Sequence, residues 1–383
     1  MTWRNETAGA AGEGTAERRP LTVAMVTRRA AAEIGGVERV AAALLAQLPQ
    51  LRPAWRVEAV SAFRCGSRIE SINGLSDLVA GLRLGWRLRR SPADVAFVHC
   101  PECLWGIRLL RRRAGGPSLV AVWHGAGPTA YLRLRRPGDP MARALAWFRT
   151  AGERRALAAD GHVAVHSQVA QELRSVYGFS GPVTVIQNAL DPSTCRPAAR
   201  PGHEPSRPGH EPSRAGLNAV WAGQVGYRKG LDVALAAVAE ARRDLPGLRL
   251  TVVGVPPGKP ADGVDWLGVI PQARMAEVYG RADLLLFPTR YESFGLVVIE
   301  AMAAGLPVIV SDNIGAGIVT DGRNGVVIAG HDPSRYAAAL RRLADPAVRA
   351  TMAEANREDV QRFSIESAGA DYATVAESLA GIR

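Results

Sequence analysis

The chain has 383 residues, of which 47% are hydrophobic and 22% charged, and its formal net charge is +11. This composition excludes a wholly disordered protein, and the length suits two domains better than one. No run approaches the roughly 18 consecutive apolar residues of a membrane-spanning helix. The four cysteines are too few for a disulfide framework. We therefore expect a cytoplasmic protein.

The positive charge is concentrated in the first half of the chain. Residues 1–190 contain 26 arginines and 14 acidic residues, whereas residues 191–383 contain 21 basic and 22 acidic residues. Such an excess favours an anionic partner, or prevents aggregation by repulsion. Arginine outnumbers lysine 45 to 2, a bias that we attribute to codon usage and that weakens the charge argument.

Strand and helix patterns alternate from residue 21 onward. Residues 1–20 are small and polar, without the apolar core of a secretory signal, and we expect them to form a disordered tail. The next segments predict strands near 21–26, 57–63, 95–100, 119–123, 162–166 and 183–186, with helices near 37–48, 75–90, 103–113, 140–159 and 168–177. This order is typical of a mostly parallel sheet with helices on both faces.

A proline-rich tandem repeat at residues 200–213 interrupts the alternation and predicts an exposed linker. A second alternating block follows, with strands near 218–222, 248–253, 264–267, 284–287 and 308–311. Its helices are expected from about 231, at 274–280 and at 296–303. We predict two doubly wound α/β domains, at 21–190 and 217–362, joined by the linker 191–216. Ligands of such sheets bind at the carboxyl ends of the strands, so the cleft between the domains is the expected site.

The segment from Pro288 to Val308 carries the densest set of chemical groups. A strand ends at Phe287, a loop carries Glu292, and a helix starts near Gly295, where unpaired backbone N–H groups suit a phosphate. Glu292 can reach a hydroxyl-rich group beside that phosphate. Glu300 lies about one turn into the helix, and we expect its carboxylate to be free to accept hydrogen bonds from a diol such as ribose.

Two cations precede the first helix of the second block. Arg228 can bind phosphate oxygens with its forked guanidinium, and Lys229 supplies a point charge. A leaving nucleoside diphosphate gains negative charge as its bond breaks, so fixed cations beside it lower the barrier. The sequence therefore predicts a site in which acidic and basic side chains share one diphosphate ligand.

These motifs together resemble glycosyltransferase family 4. The resemblance rests on Arg228-Lys229-Gly230, on Glu292 and Glu300, on Gly35-Gly36 before the first helix, and on Gln187-Asn-Ala-Leu-Asp191 near the domain junction. It covers about residues 21–380 and implies the GT-B fold, in which two Rossmann-like domains face each other across a cleft. It also implies that the first domain binds the acceptor and the second the nucleotide sugar, and that residues 363–383 form a helix crossing back onto the first domain.

The resemblance implies roles for the matching residues. Arg228 and Lys229 would bind the donor pyrophosphate, Glu292 would orient the sugar hydroxyls, and Glu300 would hold the ribose. Gly35 and Gly36 would lie at the diphosphate when the domains close. The backbone amides of Phe294, Gly295 and Leu296 would lie near sugar and phosphate, and His124 would lie near the transferred sugar and the acceptor.

The expected reaction is retaining transfer from a nucleotide sugar. A retaining glycosidase places two carboxyl groups about 5–5.5 Å apart, which fits Glu292 and Glu300 poorly because one is in a loop and the other a turn along a helix. We therefore predict front-face transfer, in which the departing phosphate oxygen takes the acceptor proton. No Asp-x-Asp motif occurs, so we expect that the reaction requires no metal and no cofactor.

The donor base and the acceptor stay open at this point. A UDP-sugar is the choice that the resemblance favours, with a small natural product such as an aminocyclitol as acceptor, as in antibiotic biosynthesis. A lipid or polysaccharide acceptor at a membrane surface is the alternative, because several arginines accompany Trp86: Arg83, Arg87, Arg89 and Arg90. A nucleotide-sugar epimerase on the same fold is a further alternative.

Two other classes of function are disfavoured. Nucleic-acid binding would require a recognition helix, a zinc finger or interleaved aromatic residues, and the chain has none of these signals. His99, Cys100 and Cys103 at the end of one strand are compatible with a redox pair or half of a zinc site. Without a second cysteine pair, the sequence gives this reading little support.

Overall fold

The computed structural model describes residues 20–29, 35–63, 75–110, 116–125, 150–195, 216–224, 227–314 and 317–381. The expected tail (apart from Pro20), the tandem repeat and the first half of the helix predicted at 140–159 lie outside these ranges. The described residues contain two six-stranded sheets whose strands all pair in parallel.

The first sheet has the strand order β2-β1-β3-β4-β5-β6. Its strands are β1 (Thr22–Arg29), β2 (Arg56–Phe63), β3 (Val95–Val98), β4 (Ser118–Trp123), β5 (Gly161–Ala164) and β6 (Thr184–Val185). The central strands are almost continuously apolar, and every residue of β3 and β4 is buried. Helices cover both faces of such a sheet, so its strands have no solvent-facing side that would require alternating polar residues.

The helices of the first domain are α1 (Gly36–Leu51), α2 (Leu75–Leu88), α3 (Leu104–Leu110) and α4 (Ser167–Tyr177), and residues 150–156 are also helical. Helix α4 starts at an N-cap side chain, His166, which accepts a hydrogen bond from the backbone N–H of Gln168, and it ends at Gly178 in the left-handed conformation. These bounds agree with the predicted elements to within a few residues.

The second sheet has the order β12-β11-β10-β7-β8-β9, which is the strand order of dinucleotide-binding folds. Its strands are β7 (Asn218–Ala222), β8 (Arg249–Val253), β9 (Val264–Gly268), β10 (Leu284–Phe287), β11 (Val308–Ser311) and β12 (Gly325–Ile328). The direction of winding reverses between β7 and β10. The helices that follow these two strands therefore lie on opposite sides of the sheet, and a crevice is expected at the carboxyl ends of the strands.

The remaining helices are α5 (Leu231–Ala241), α6 (Met275–Tyr279), α7 (Leu296–Ala303), α8 (Pro333–Arg342), α9 (Pro346–Asp359) and α10 (Ile365–Gly381). Helices α8 and α9 both start at an Asp-Pro pair, in which the aspartate side chain caps the helix and proline occupies the first turn. These two helices and β12 were not among the predicted elements.

The two domains pack closely against each other. One continuous apolar core includes the first sheet and one face of the second sheet, and Phe287 and Phe294 of the second domain belong to it. Helix α10 lies against α1 and β3, where Tyr372 contacts Phe97 with ring centroids 4.9 Å apart. No helix in the described part of the chain is long and apolar enough to cross a membrane.

Candidate active site in the crevice between the domains

The loops that follow β7 and β10 are packed directly against each other. Gly230, which precedes α5, has φ +70°, and a Cβ atom there would collide with the carbonyl oxygen of Pro288. Only glycine combines this left-handed backbone with so close an approach. The contact is reinforced by the N–H of Arg290, which donates to the carbonyl oxygen of Arg228 at 2.8 Å. The sequence Arg228-Lys229 is thus held beside the loop that carries Glu292.

Lys229 and Glu292 form an ion pair at the base of this crevice. The Lys229 Nζ atom donates to Glu292 Oε2, and Arg228 Nη1 lies 4.0 Å from the same oxygen. The side chains of Lys229 and Glu292 are only 11% and 13% exposed. Trp221 fixes the backbone by donating its indole N–H to the carbonyl oxygen of Lys229 at 3.1 Å. Local hydrogen bonds and glycine geometry thus determine where the two charges lie.

Burial and mutual attraction act in opposite directions on these two groups. Burial lowers the pKa of Lys229, and the Glu292 carboxylate opposes that shift. For Glu292, burial alone would raise the pKa, but Lys229, Arg228 and the backbone amide of Phe294 outweigh it, and the pKa falls below its usual range. Glu292 is therefore ionised at neutral pH and supplies the counter-charge that a buried ammonium group needs.

Glu300 forms a second charged contact, and this one joins the two domains. Its Oε1 atom accepts a hydrogen bond from Arg39 of α1, and its Oε2 atom accepts one from the Tyr279 hydroxyl at 2.8 Å. The side chain of Glu300 is 1% exposed. The expectation that this carboxylate is free is therefore wrong for this structure. An arginine from the first domain occupies it, because the start of α1 packs against α7.

The starts of two helices face each other across the crevice. Gly36 is the first residue of α1, and a Cβ atom there would lie 3.1 Å from Leu296 Cδ1 at the start of α7. Gly295 caps α7 with φ +96°. Both helix N-termini direct positive partial charge toward this region, which suits an anion. The amide of Phe294 contacts the Glu292 carboxylate, as noted above.

His124 lies at the carboxyl end of β4 and borders the loop that carries Glu292. A Cβ atom on the next residue, Gly125, would lie 3.1 Å from the Tyr291 hydroxyl oxygen, so this segment is adjacent to Glu292 in the second domain. His124 Nε2 is 3.0 Å from Nδ1 of His99, which follows β3. Burial lowers the pKa of His124 to about 4 and that of His99 well below its usual value.

A cleft opens beside this loop between α4 of the first domain and the second domain. It is lined by polar side chains from both domains, chiefly Gln168, Glu172, Tyr291, Glu292, Ser293 and Asn313. Glu292 thus borders the buried cations on one side and an open, hydroxyl-compatible cleft on the other.

The structure gathers the predicted residues into one region and adds partners that the sequence did not reveal. Arg39, Tyr279 and His99 were not predicted to contact site residues. Only the position of Arg39 one turn after Gly35-Gly36 could have indicated that it reaches the crevice. His99 contacts His124 instead of completing a zinc site with Cys100 and Cys103, and the described residues contain no cluster able to hold a metal ion.

A parallel sheet with Arg228, Lys229 and a paired carboxylate at its switch point is typical of α/β proteins that bind their ligands there. Comparison with known proteins narrows the class. Residues 34–194 match the model of Glycosyltransferase Family 4, and residues 216–345 match that of Glycosyl transferases group 1. The D-inositol 3-phosphate glycosyltransferase of Streptomyces avermitilis is 32% identical over 320 residues, which cover 77% of this chain and 68% of that protein.

Solved structures show the same architecture. Sucrose-phosphate synthase from Thermosynechococcus elongatus superposes with a TM-score of 0.77 at 19% identity, covering 95% of this chain and 100% of that one. WaaG, a glycosyltransferase of lipopolysaccharide biosynthesis, superposes with a TM-score of 0.66 at 18% identity, covering 92% and 99%. The chain therefore belongs to glycosyltransferase family 4. It is a glycosyltransferase with the GT-B fold, as the sequence predicted.

Proposed function

We propose that this enzyme moves a sugar, with retention of configuration, from a UDP-sugar to a hydroxyl group of a small polyol acceptor. The observation that carries the proposal is the pair Lys229–Glu292, buried at the switch point of the second sheet with Arg228 beside it. A carboxylate that is bound by two cations can exchange its partners when the donor binds. The diphosphate then binds the two cations in place of Glu292, and a sugar hydroxyl donates a hydrogen bond to the Glu292 carboxylate.

Donor binding would bring the negative charges of the diphosphate into the crevice and rearrange the side-chain charges already there. Arg228 and Lys229 transfer from Glu292 to the diphosphate oxygens, and Glu292 turns toward the sugar hydroxyls in the adjoining cleft. The two cations then stabilise the charge that develops on the leaving diphosphate. Because they already occupy fixed positions, little reorganisation is needed as the bond breaks.

The second carboxylate would bind the nucleoside. Glu300 is the group that we assign to the ribose hydroxyls, and its present partner Arg39 must move away before ribose can reach it. Gly36 allows the starts of α1 and α7 to approach closely, since a larger residue there would press on Leu296, so the two helix starts must also move apart to admit the diphosphate. Nucleotide binding is thereby coupled to a small displacement between the domains.

The chemical step would need neither an enzyme nucleophile nor a metal. Glu292 is bound by cations and borders the sugar, and Glu300 lies under α1 in the nucleoside region, so neither is placed as a second glycosidase carboxylate. We assign the acceptor proton to the departing phosphate oxygen on the same face of the sugar. Arg228 and Lys229 supply the positive charge that a metal supplies in other transferases.

The acceptor assignment draws on the relatives. The Streptomyces avermitilis protein, and one from Catenulispora acidiphila that is 31% identical over 309 residues, are named for D-inositol 3-phosphate, a phosphorylated cyclitol. A cyclitol belongs to the same chemical class as the aminocyclitols favoured from the sequence. The polar lining of the cleft beside α4 suits such a molecule.

The test is a matrix of donors and acceptors. UDP-, GDP- and ADP-sugars are each incubated with inositol, inositol phosphate and an aminocyclitol, and products are identified by mass spectrometry and the anomeric configuration by NMR. We expect a retained linkage with a UDP-sugar and a cyclitol, and loss of turnover in Lys229→Ala. Near-normal kcat in that variant refutes the site, and isomerised donor without acceptor identifies an epimerase instead.

One surface feature favours a membrane-bound acceptor as a second candidate. Trp86 on α2 is 52% exposed, and the Arg90 guanidinium lies 3.6 Å from its ring centroid. Arg83 and Arg87 are exposed on the same helix. An exposed tryptophan among arginines is typical of a surface that contacts anionic lipid headgroups. This feature supports peripheral membrane contact without altering the donor site.

A further inference from the structure

Two histidines from neighbouring strands meet beneath the candidate active site. Strands β3 and β4 pair in parallel, so His99 and His124 follow their carboxyl ends side by side. His99 Nδ1 lies 3.0 Å from His124 Nε2, and the two rings lie edge to edge, with centroids 5.3 Å apart and planes inclined by 29°. His99 is 4% exposed, and the ring of Tyr372 on α10 lies nearly parallel to it, with the centroids 6.3 Å apart. The pair is therefore fixed by three separate elements.

A hydrogen bond between two imidazoles requires one N–H group and one lone pair. Burial keeps the pKa of each ring below its usual value, to about 4 for His124, so both rings are neutral at pH 7. Two arrangements satisfy this condition. Either His99 Nδ1–H donates to His124 Nε2, or His124 Nε2–H donates to His99 Nδ1.

The far nitrogen of His99 distinguishes these arrangements. His99 Nε2 is buried and finds no hydrogen-bond partner within the described ranges. If His124 were the donor, this nitrogen would carry a buried proton without an acceptor. Buried N–H groups are left unpaired less often than buried acceptors are. The first arrangement therefore has the lower free energy, because the unpaired His99 Nε2 is then an acceptor and not a donor. In this arrangement the His99 proton is on Nδ1.

We propose that His99 is a positioning residue that holds His124 as the neutral tautomer with its proton on Nδ1. This inference rests on the proposed function, because it specifies what His124 offers there. With Nε2 occupied by His99, the ring presents to a sugar or acceptor hydroxyl only an N–H donor. His124 then orients a hydroxyl oxygen and does not remove a proton, in agreement with proton transfer to the departing phosphate.

The direct test is 15N NMR of the ligand-free full-length chain with labelled histidine. Protonated and unprotonated ring nitrogens resonate far apart, so the tautomer is read without turnover. We expect His124 to show a protonated Nδ1 in the wild type. His99→Phe should produce a mixed tautomer, whereas His99→Asn should preserve the native tautomer, because its amide N–H can donate to Nε2. A protonated Nε2 in the wild type overturns the proposal.

Kinetics provide the second readout. Loss of one well-oriented neutral hydrogen bond should lower kcat of His99→Phe about tenfold, with partial recovery in His99→Asn. The Kd of UDP should not change, since UDP carries no transferred sugar. The matched control is His162→Asn: His162 is a buried histidine of β5 that accepts a hydrogen bond from Trp123 at 3.2 Å, and this variant should retain the wild-type kcat.

The outcomes separate this proposal from the proposed function. Absence of transfer by the wild type with every donor would refute the function, while the NMR measurement would still decide the tautomer. Wild-type kcat in His99→Phe, or an equal loss in His162→Asn, would overturn the positioning role even if the enzyme is active. Unchanged thermal unfolding of His99→Asn confirms that its kinetics report the native fold.

Discussion

Replacing Lys229 by methionine should separate the structural from the catalytic use of the buried charges. The change leaves the Glu292 carboxylate, which is 13% exposed, with Arg228 at 4.0 Å as its nearest cation. Removing one partner of a buried ion pair costs about 3–5 kcal/mol. The partial exposure and Arg228 reduce this penalty, and we expect a loss of about 2–3 kcal/mol of unfolding free energy.

The same variant should lose most of its activity. One electrostatic donor aimed at a developing negative charge contributes roughly 100- to 1,000-fold to kcat. The ion pair with Glu292 and the backbone contact with Trp221 fix the position of Lys229. We therefore expect no other side chain to take its place in the variant. Arg228 alone should leave about 1% of the wild-type rate or less.

The double variant Lys229→Met with Glu292→Gln discriminates between the two effects. Neutralising the carboxylate removes the unpaired buried charge, so most of the lost stability should return. Activity should stay at about 1% of the wild-type rate or less, because neither the cation nor the carboxylate is restored. Urea unfolding gives the free energies, and product formation under saturating donor gives kcat. Arg249→Met is the control, because its ion pair with Asp265 is exposed and should contribute at most about 1 kcal/mol.

Two results would refute this reasoning. If the double variant is no more stable than Lys229→Met, the penalty does not arise from an uncompensated carboxylate. If Lys229→Met transfers sugar at a third or more of the wild-type rate, then Lys229 does not neutralise the leaving group. A comparison of donor KM and kcat in Lys229→Met would also show whether Lys229 acts mainly in donor binding or in the chemical step.

Three further predictions follow from the contacts around the site. Arg39→Ala should bind UDP several-fold more tightly, measured by calorimetry, because Glu300 no longer has to release an arginine; weaker binding would assign Arg39 to the nucleotide itself. The unfolding free energy should fall by at least about 2 kcal/mol from pH 7 to pH 5, because the unfolded chain gains a proton at His124 that the folded chain, with its His124 pKa of about 4, does not, and the lowered pKa of His99 acts in the same direction; a flat pH profile would contradict this. Sedimentation with anionic liposomes should decrease in Trp86→Ala and at high salt, whereas no sedimentation of the wild type would exclude the membrane candidate.

Local sequence signals were sufficient for most of the fold. The apolar runs of β3, β4 and β10 are short, continuous and bounded by turn residues, so their period and length identify buried strands. Helices α8 and α9 were missed although each begins with an Asp-Pro cap, a signal present in the sequence at residues 332–333 and 345–346. That omission reflects an unused local signal rather than a tertiary effect.

The sequence by itself determined the two-domain α/β architecture, the family and the positions of Lys229 and Glu292 at the ends of strands, because each depends on residues within one strand, loop and helix. Only the tertiary structure decided which groups these residues meet. Arg39 contacts Glu300 across 261 positions of sequence, and His99 meets His124 only because β3 and β4 are neighbours in the sheet. Hydrophobic periodicity specifies which face of an element is buried. The pairing of side chains that are far apart in the sequence depends on how whole strands and domains pack, and no local sequence pattern encodes that packing.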